Sequence, residues 1–219
     1  MFSLSEENYL KVIHNLKIAN SKNASTTLIA KELQTKASSV TDMLKKLADK
    51  KLVNYQKYKG VSLTKKGENI ALNIVRKHRL WEVFLVDTLH FNWDEVHEVA
   101  EQLEHIKSDQ LIDRLDAFLK YPTKDPHGDP IPTKNGTLPL DNSILLSNAD
   151  TQKLYKISCV KDNSKSFLQY LDKHAITINS EITIIDKIDF DSSIIVKLSN
   201  GIPLTLSSKV STNVFVNLI

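Results

Sequence analysis

A chain of 219 residues is long enough for two or three small domains, and with 41% apolar residues it reads as a packed soluble protein. It holds no run of 18 apolar residues to span a bilayer and no signal-peptide pattern in MFSLSEENYL; its single cysteine, Cys159, cannot form an internal disulfide, so the expected setting is the cytoplasm. The net charge of +3 averages over opposed blocks: residues 1–77 carry 15 Lys and Arg against 6 Asp and Glu, whereas residues 78–130 carry 5 against 12, together with five of the seven histidines.

That division suggests a part that binds polyanions followed by a part that binds cations. In chain order, residues 5–19 predict a helix with Ser5 as N-cap, Glu6 and Glu7 in its first turn, and Tyr9, Val12, Ile13 and Leu16 facing inward. A short helix from Thr27 to Leu33, a turn at Gln34–Ala37 and a longer helix from Ser38 to Lys50 follow. The stretch LVNYQKYKGVSLTKKG then alternates like a two-stranded ribbon turning at Lys59–Gly60. Helix, turn, helix and basic hairpin in that order make a winged helix-turn-helix. In this motif the start of the second helix meets base edges while lysines neutralise phosphates. Thr27, Ser38, Ser39, Thr41, Asp42, Lys45 and Lys46, with Lys57 and Lys59 on the wing, are the candidate contacts to double-stranded DNA.

Residues 65–90 predict a long helix whose apolar positions exceed one narrow stripe, and within it His78 and Glu82 lie one turn apart. Asn92–Lys107 predicts a helix with Val96, Val99, Ala100, Leu103 and Ile106 toward a core. His97, Glu101, Glu104 and His105 would share one flank of that helix, the arrangement a divalent metal needs; a solvated acidic face is the plain alternative. A further helix spans Ser108–Lys120. The apolar surface of this block is large for its length, which suggests a dimer interface. Residues 121–150 hold five of the six prolines and read as a loop and linker containing Asp125 and His127. The final block predicts strands at LYKISCVK, ITIIDKI, SIIVKLS and NVFVNLI, a helix at SFLQYLDKH and a tight turn at Asn200–Gly201. The expected fold is therefore a mainly α winged helix-turn-helix and helical dimerisation domain with a small β barrel at the C-terminus. The boundaries are 1–75, 76–140, a linker at 141–150, and 151–219.

RKHRLWEVFL (76–85), VHEVAEQLEHIKSDQLIDRL (96–115) and DPHGDPIP (125–132) together resemble the diphtheria toxin repressor family of metal-dependent regulators, and more closely its manganese-sensing branch with a third domain. The resemblance implies a homodimer that binds palindromic operators when loaded with Mn²⁺ or Fe²⁺ and represses metal-uptake genes, and it implies that the C-terminal β barrel is SH3-like (FeoA-like). It implies Glu101, Glu104 and His105 as ligands of a primary site, joined by Asn8. His78, Glu82 and His97 match residues used in that site or a neighbouring one, and Asp125 and His127 a further site to which Asp162 can contribute. Position 101 is Glu where iron-sensing members carry Cys, which favours Mn²⁺, with Fe²⁺ the alternative. Asn8 stands where manganese members usually carry Asp. Lys11 replaces a carboxylate that some of them use for a second ion, which argues against a paired manganese cluster. Metal binding is expected to tie the first helix to residues 101–105 and set the spacing of two DNA-binding domains. A metal-independent winged-helix regulator is the main alternative. A di-metal carboxylate enzyme is a weaker one, because the chain has no Glu-x-x-His element and no nucleophile–base constellation.

Overall fold

The computed structural model describes residues 2–20, 23–56, 59–199 and 201–219. They divide into two compact units. The first comprises Met1–His78, Glu101–Asp113 and Pro132–Leu138; the second comprises Arg79–Ala100, Arg114–Ile131 and Pro139–Ile219.

In the first unit, α1 (Leu4–Asn20) starts earlier than the sequence suggests. Its cap is Ser3 rather than Ser5: Glu6 N–H donates to Ser3 Oγ (3.3 Å) and Ser3 N–H to Glu6 Oε2 (3.1 Å), a reciprocal capping box. α2 (Thr26–Glu32) is capped by Ser25, whose Oγ accepts from Leu28 N–H. α3 (Ala37–Asp49) buries Val40, Leu44 and Leu47 against Leu10, Ile13 and Ile29. Antiparallel β1 (Val53–Gln56) and β2 (Gly60–Leu63) pair Gln56 with Gly60, and Lys59 N–H donates to Gln56 O at 3.0 Å. Gly60 has φ +82° and a side chain there would meet Ala24 O at 2.9 Å, because Ala24 and Val61 exchange backbone hydrogen bonds and tie the wing to the chain before α2. Lys57, expected on the wing, lies outside the described residues, as does Asn200 of the expected tight turn.

α4 (Lys65–Asp87) begins in the first unit and continues into the second. It stops short of residue 90, where His90 adopts φ +59°. The helix expected at Asn92–Lys107 is much shorter, α5 (Val96–Leu103). Residues 92–95 form a turn, and a tight turn follows Leu103, with Ile106 N–H donating to Leu103 O. Glu104 and His105 thus lie past the helix end, and of the four residues expected on one flank His97 and Glu101 stand on α5, one turn apart. α6 spans Asp109–Phe118.

In the second unit, a six-stranded antiparallel sheet has the order β3-β8-β4-β5-β6-β7. Its strands are β3 (Ile144–Leu145), β4 (Leu154–Val160), β5 (Glu181–Ile188), β6 (Ser193–Leu198), β7 (Pro203–Leu206) and β8 (Val214–Leu218). Register shifts at Ile157/Cys159 and Ile184/Asp186 bend it, as bulges do. α7 (Lys165–Lys173) buries Phe167, Leu168 and Leu171 against Tyr155, Ile157, Ile182, Ile184 and Val196, and a single turn, α8 (Ser208–Ser211), precedes β8. This is the small β domain expected from the strand spacing, consistent with the SH3-like form that the resemblance implies. Residues 144–148, within the stretch read as a linker, supply β3 and a 3₁₀ turn whose Leu146 is fully buried in that core.

Candidate metal centres and nucleic-acid interface

The outer side of α3 is polar and open. Ser38, Ser39, Asp42, Lys45 and Lys46 are exposed, as are Thr27 on α2 and Lys59 on the wing, while Val40, Leu44 and Leu47 point to the core. Thr41 is half-buried and its hydroxyl donates to Ala37 O (3.0 Å). Lys45 lies 3.5 Å from Asp42, a weak surface pair that a phosphate can displace. Lys46 and Lys50 both reach Glu6, at 3.0 and 2.6 Å; the Lys50 hydrogen bond foremost holds the Glu6 carboxyl down at about 2. The base of α1 is thereby fastened to the end of α3.

On the same unit, three separate stretches build a buried polar centre. The turn after α5 brings in Glu104, which is fully buried. Its Oε2 meets His78 Nδ1 at 2.7 Å and accepts from Lys11 Nζ at 2.6 Å, while Lys11 also donates to Glu101 Oε1 at 2.5 Å. His105 Nδ1 lies 2.7 Å from Glu7 Oε2, and its Nε2 is 3.7 Å from Glu104 Oε1. Among the described residues that Oε1 has no hydrogen-bond partner, nor has the buried Asn8 Oδ1. Asn8 lines a cleft of about 480 Å³ with Ser5, Tyr9, Leu33, Thr35, Ser39 and Met43, between α1 and the start of α3. An enclosed carboxylate oxygen without a donor costs several kcal/mol in most settings, and a cation is the partner such an atom lacks. The donor set, carboxylates with imidazole and amide oxygen and no thiolate, fits a hard divalent ion.

A second acid–imidazole group forms within the other unit. Glu82, Asp125 and His127 are all buried and offer ligand atoms within 4.8 Å of one another. His97 Nδ1 lies 3.5 Å from Glu82 Oε1. The DPHG turn is shaped by Asp125 Oδ1, which accepts from the N–H groups of His127 (2.9 Å) and Asp129 (3.0 Å). Gly128, with φ +88°, presses against β4: a Cβ there would stand 2.0 Å from Ser158 O. His127 N–H aside, its backbone carbonyl accepts from Val160 N–H, and its ring stacks on Trp93. His127 Nε2 is 2.9 Å from Trp93 O, and a carbonyl can only accept, so Nε2 carries a hydrogen, while Nδ1 lies 3.8 Å from Glu82 Oε2. Burial opposes protonation of His127, but Glu82 and Asp125 outweigh it and raise its pKa to about 9; burial, reinforced by Glu82 and Asp129, pushes Asp125 up to about 8. Arg79 braces the edge, 3.4 Å from Asp125 Oδ2 and 3.4 Å from Asp129 Oδ2.

Asp162, the remaining expected ligand, is outside this group; its Oδ1 accepts from Ser164 N–H (2.9 Å) ahead of α7. Glu7 was the residue not foreseen. In the sequence it is simply a first-turn acid, and only its pairing with a histidine 98 positions away marks it.

A winged helix-turn-helix on a helical block with two buried acid–imidazole groups defines a metal-responsive DNA-binding regulator. Comparison with known proteins agrees over almost the whole length. The iron dependent repressor N-terminal DNA binding domain matches residues 1–61, the metal binding and dimerisation domain of the same repressors residues 64–133, and the FeoA domain residues 144–218. An uncharacterized HTH-type transcriptional regulator of Methanocaldococcus jannaschii, MJ0568, is 40% identical over 54% of this chain and 94% of its own length. The diphtheria toxin repressor of Corynebacterium diphtheriae is 29% identical over 83% of this chain and 84% of its own. A manganese-dependent transcriptional repressor solved in complex with manganese superposes with a TM-score of 0.90 at 33% identity, covering 98% of this chain and 100% of that one. The chain belongs to the iron-dependent repressor family, that of the diphtheria toxin repressor, whose members are metal-dependent, DNA-binding transcriptional repressors.

Proposed function

We propose that this repressor senses Mn²⁺, with Fe²⁺ as the alternative ion, and controls genes of metal uptake as a cytoplasmic homodimer on palindromic operators. The observation that carries the reading is the enclosed Glu104 carboxylate, whose Oε1 lacks a hydrogen-bond partner beside His105 and Glu7. Glu101, Glu104 and His105, with Glu7 and Asn8 from α1, would hold the regulatory ion, and His78 would orient Glu104. Glu82, Asp125 and His127, with His97 at the margin, would hold an auxiliary ion; a contribution from Asp162 needs its turn to open. When bound, the ion supplies positive charge and fixed bond directions. The chain does the rest. Drawing Glu7 and His105 onto a common partner would clamp α1 to the turn at 104–106, and α1 is in turn fastened through Glu6 to Lys46 of α3 and to Lys50, which caps its end. Ligation would thus reach the DNA-reading helix through the first turn of α1, where Glu6 and Glu7 are neighbours, and a regulator rather than an enzyme is the outcome.

Fluorescence anisotropy on the protein's own upstream DNA tests this, with Mn²⁺, Fe²⁺ or chelator at one fixed ionic strength, since phosphate contacts are strongly salt-dependent. Tight binding with Mn²⁺ and loss of it in chelator is the expected result. Equal binding in chelator would reject metal control and leave a metal-independent winged-helix regulator.

A further inference from the structure

Residues 104–107, which follow α5, are each fastened to α1, to the residue ahead of it, or to α4. Glu104 meets Lys11 and His78, His105 meets Glu7, and Lys107 Nζ donates to Phe2 O at 3.0 Å. The remaining residue, Ile106, is held by Lys77, which stands next to His78 on α4 and is only 7% exposed. The Lys77 ammonium donates to Ile106 O at 3.0 Å, and Ile106 N–H donates to Leu103 O at 3.1 Å. Both backbone polar groups of Ile106 are thus engaged, one within the turn and one with α4. A buried ammonium is costly unless it is hydrogen-bonded. This one is directed at a main-chain carbonyl adjoining His105, and an ion that recruits Glu104, His105 and Glu7 would leave that bond untouched.

We propose that Lys77 is a positioning residue of the regulatory centre: by holding the Ile106 carbonyl it fixes the turn at 104–106 to α4 before the ion arrives, so that ligation draws α1 toward a preformed turn. The inference rests on the reading of this site as a divalent-metal centre. Geometry supports it. Lys77 and His78 are consecutive residues of α4, and they reach the turn at two points, the Ile106 carbonyl and the Glu104 carboxylate. The first of these is backbone, so it sets the path of the chain through His105 whatever the neighbouring side chains do. A turn fixed in advance loses less conformational freedom when the ion binds, and affinity gains by that difference. Without Lys77 the ion itself has to order the turn.

The test compares wild type with Lys77→Met and Lys77→Arg. Mn²⁺ affinity is measured by calorimetry, and hydrogen exchange of a peptide covering residues 103–107 is followed by mass spectrometry in Mn²⁺ or in chelator. Methionine keeps the apolar stem of the lysine and removes its donor. Lys77→Met is expected to bind the same number of Mn²⁺ ions about tenfold more weakly, and to protect the peptide only with Mn²⁺ present. Wild type should protect it equally in chelator, and Lys77→Arg, which keeps a cationic donor, should match wild type in both measurements. Wild-type affinity and protection in folded Lys77→Met overturn the proposal. If that variant does not fold, protection in wild type that appears only with Mn²⁺ overturns it equally, because the turn would then not be preformed. Absence of any Mn²⁺ binding by wild type would instead reject the metal-sensor reading itself.

Discussion

The two acid–imidazole groups are built from similar residues but braced by different cations. In the first, Lys11 sends a single compact charge to Glu101 and Glu104, and α1, which carries it, also carries Glu7 and the capping Glu6. In the second, Arg79 is forked over Asp125, Asp129 and the Pro130 carbonyl, while Gly128 locks the same loop against β4. A lysine on a flexible stem tolerates rearrangement around it, whereas a planar guanidinium fixes its partners. On the proposed reading the two would do different work: the first would move a DNA-binding element, and the second would hold a folded loop together.

That contrast can be broken most directly at Glu104. Glu104→Ala removes the one fully enclosed carboxylate, and Mn²⁺ affinity measured by calorimetry is expected to fall by roughly 100-fold or more, with metal-dependent DNA binding lost. Unchanged Mn²⁺ affinity would reject Glu104 as a ligand. Gly128→Ala tests the second group's dependence on its loop. A methyl 2.0 Å from Ser158 O at φ +88° should cost about 3 kcal/mol, read as a lowered thermal midpoint in the loaded and unloaded protein alike.

Glu6 sharpens the separation between binding the ion and transmitting it. Its folded pKa of about 2 lies below the ordinary 4.5, so its contribution is complete above pH 4.5 and is lost as pH falls toward 2. Allowing for solvent screening of Lys46 and Lys50, this amounts to about 2 kcal/mol. Glu6→Gln should therefore lower stability at neutral pH and flatten the acid limb, while leaving the number of bound Mn²⁺ ions unchanged. The smallest effect is expected from His127→Ala. It should remove one ion per chain, yet weaken DNA binding at saturating Mn²⁺ by only about threefold. A complete loss of the DNA response would show that the second group also acts as a switch.

Much of this arrangement was legible in the residues. The helix-turn-helix and wing followed from apolar spacing and basic charge, because α3 buries Val40, Leu44 and Leu47 at helical intervals whatever surrounds it. Strands β4, β5, β6 and β8 were equally plain from their β-branched runs. The two-residue β3 and the four-residue β7 were not, since Ile144–Leu145 and Pro203–Leu206 are too short to set up an alternation. The length of α5 was misread because VHEVAEQLEHIK keeps helical periodicity past the point where the backbone turns. Nothing local in that sequence rewards the turn; the contacts of Glu104 with Lys11 and His78 do.

What the sequence determined by itself was the inventory: a DNA-binding block, an acid- and histidine-rich block, and a small β domain, each fixed by periodicity and charge that act over a few residues. The tertiary structure decided how the acids are shared out. It placed Glu7 against His105 and Lys11 between Glu101 and Glu104, and it gave Glu82 to Asp125 and His127. Those pairings join residues dozens of positions apart. They are chosen by which carboxylate can be buried beside a positive charge, a cost that no single stretch of sequence carries.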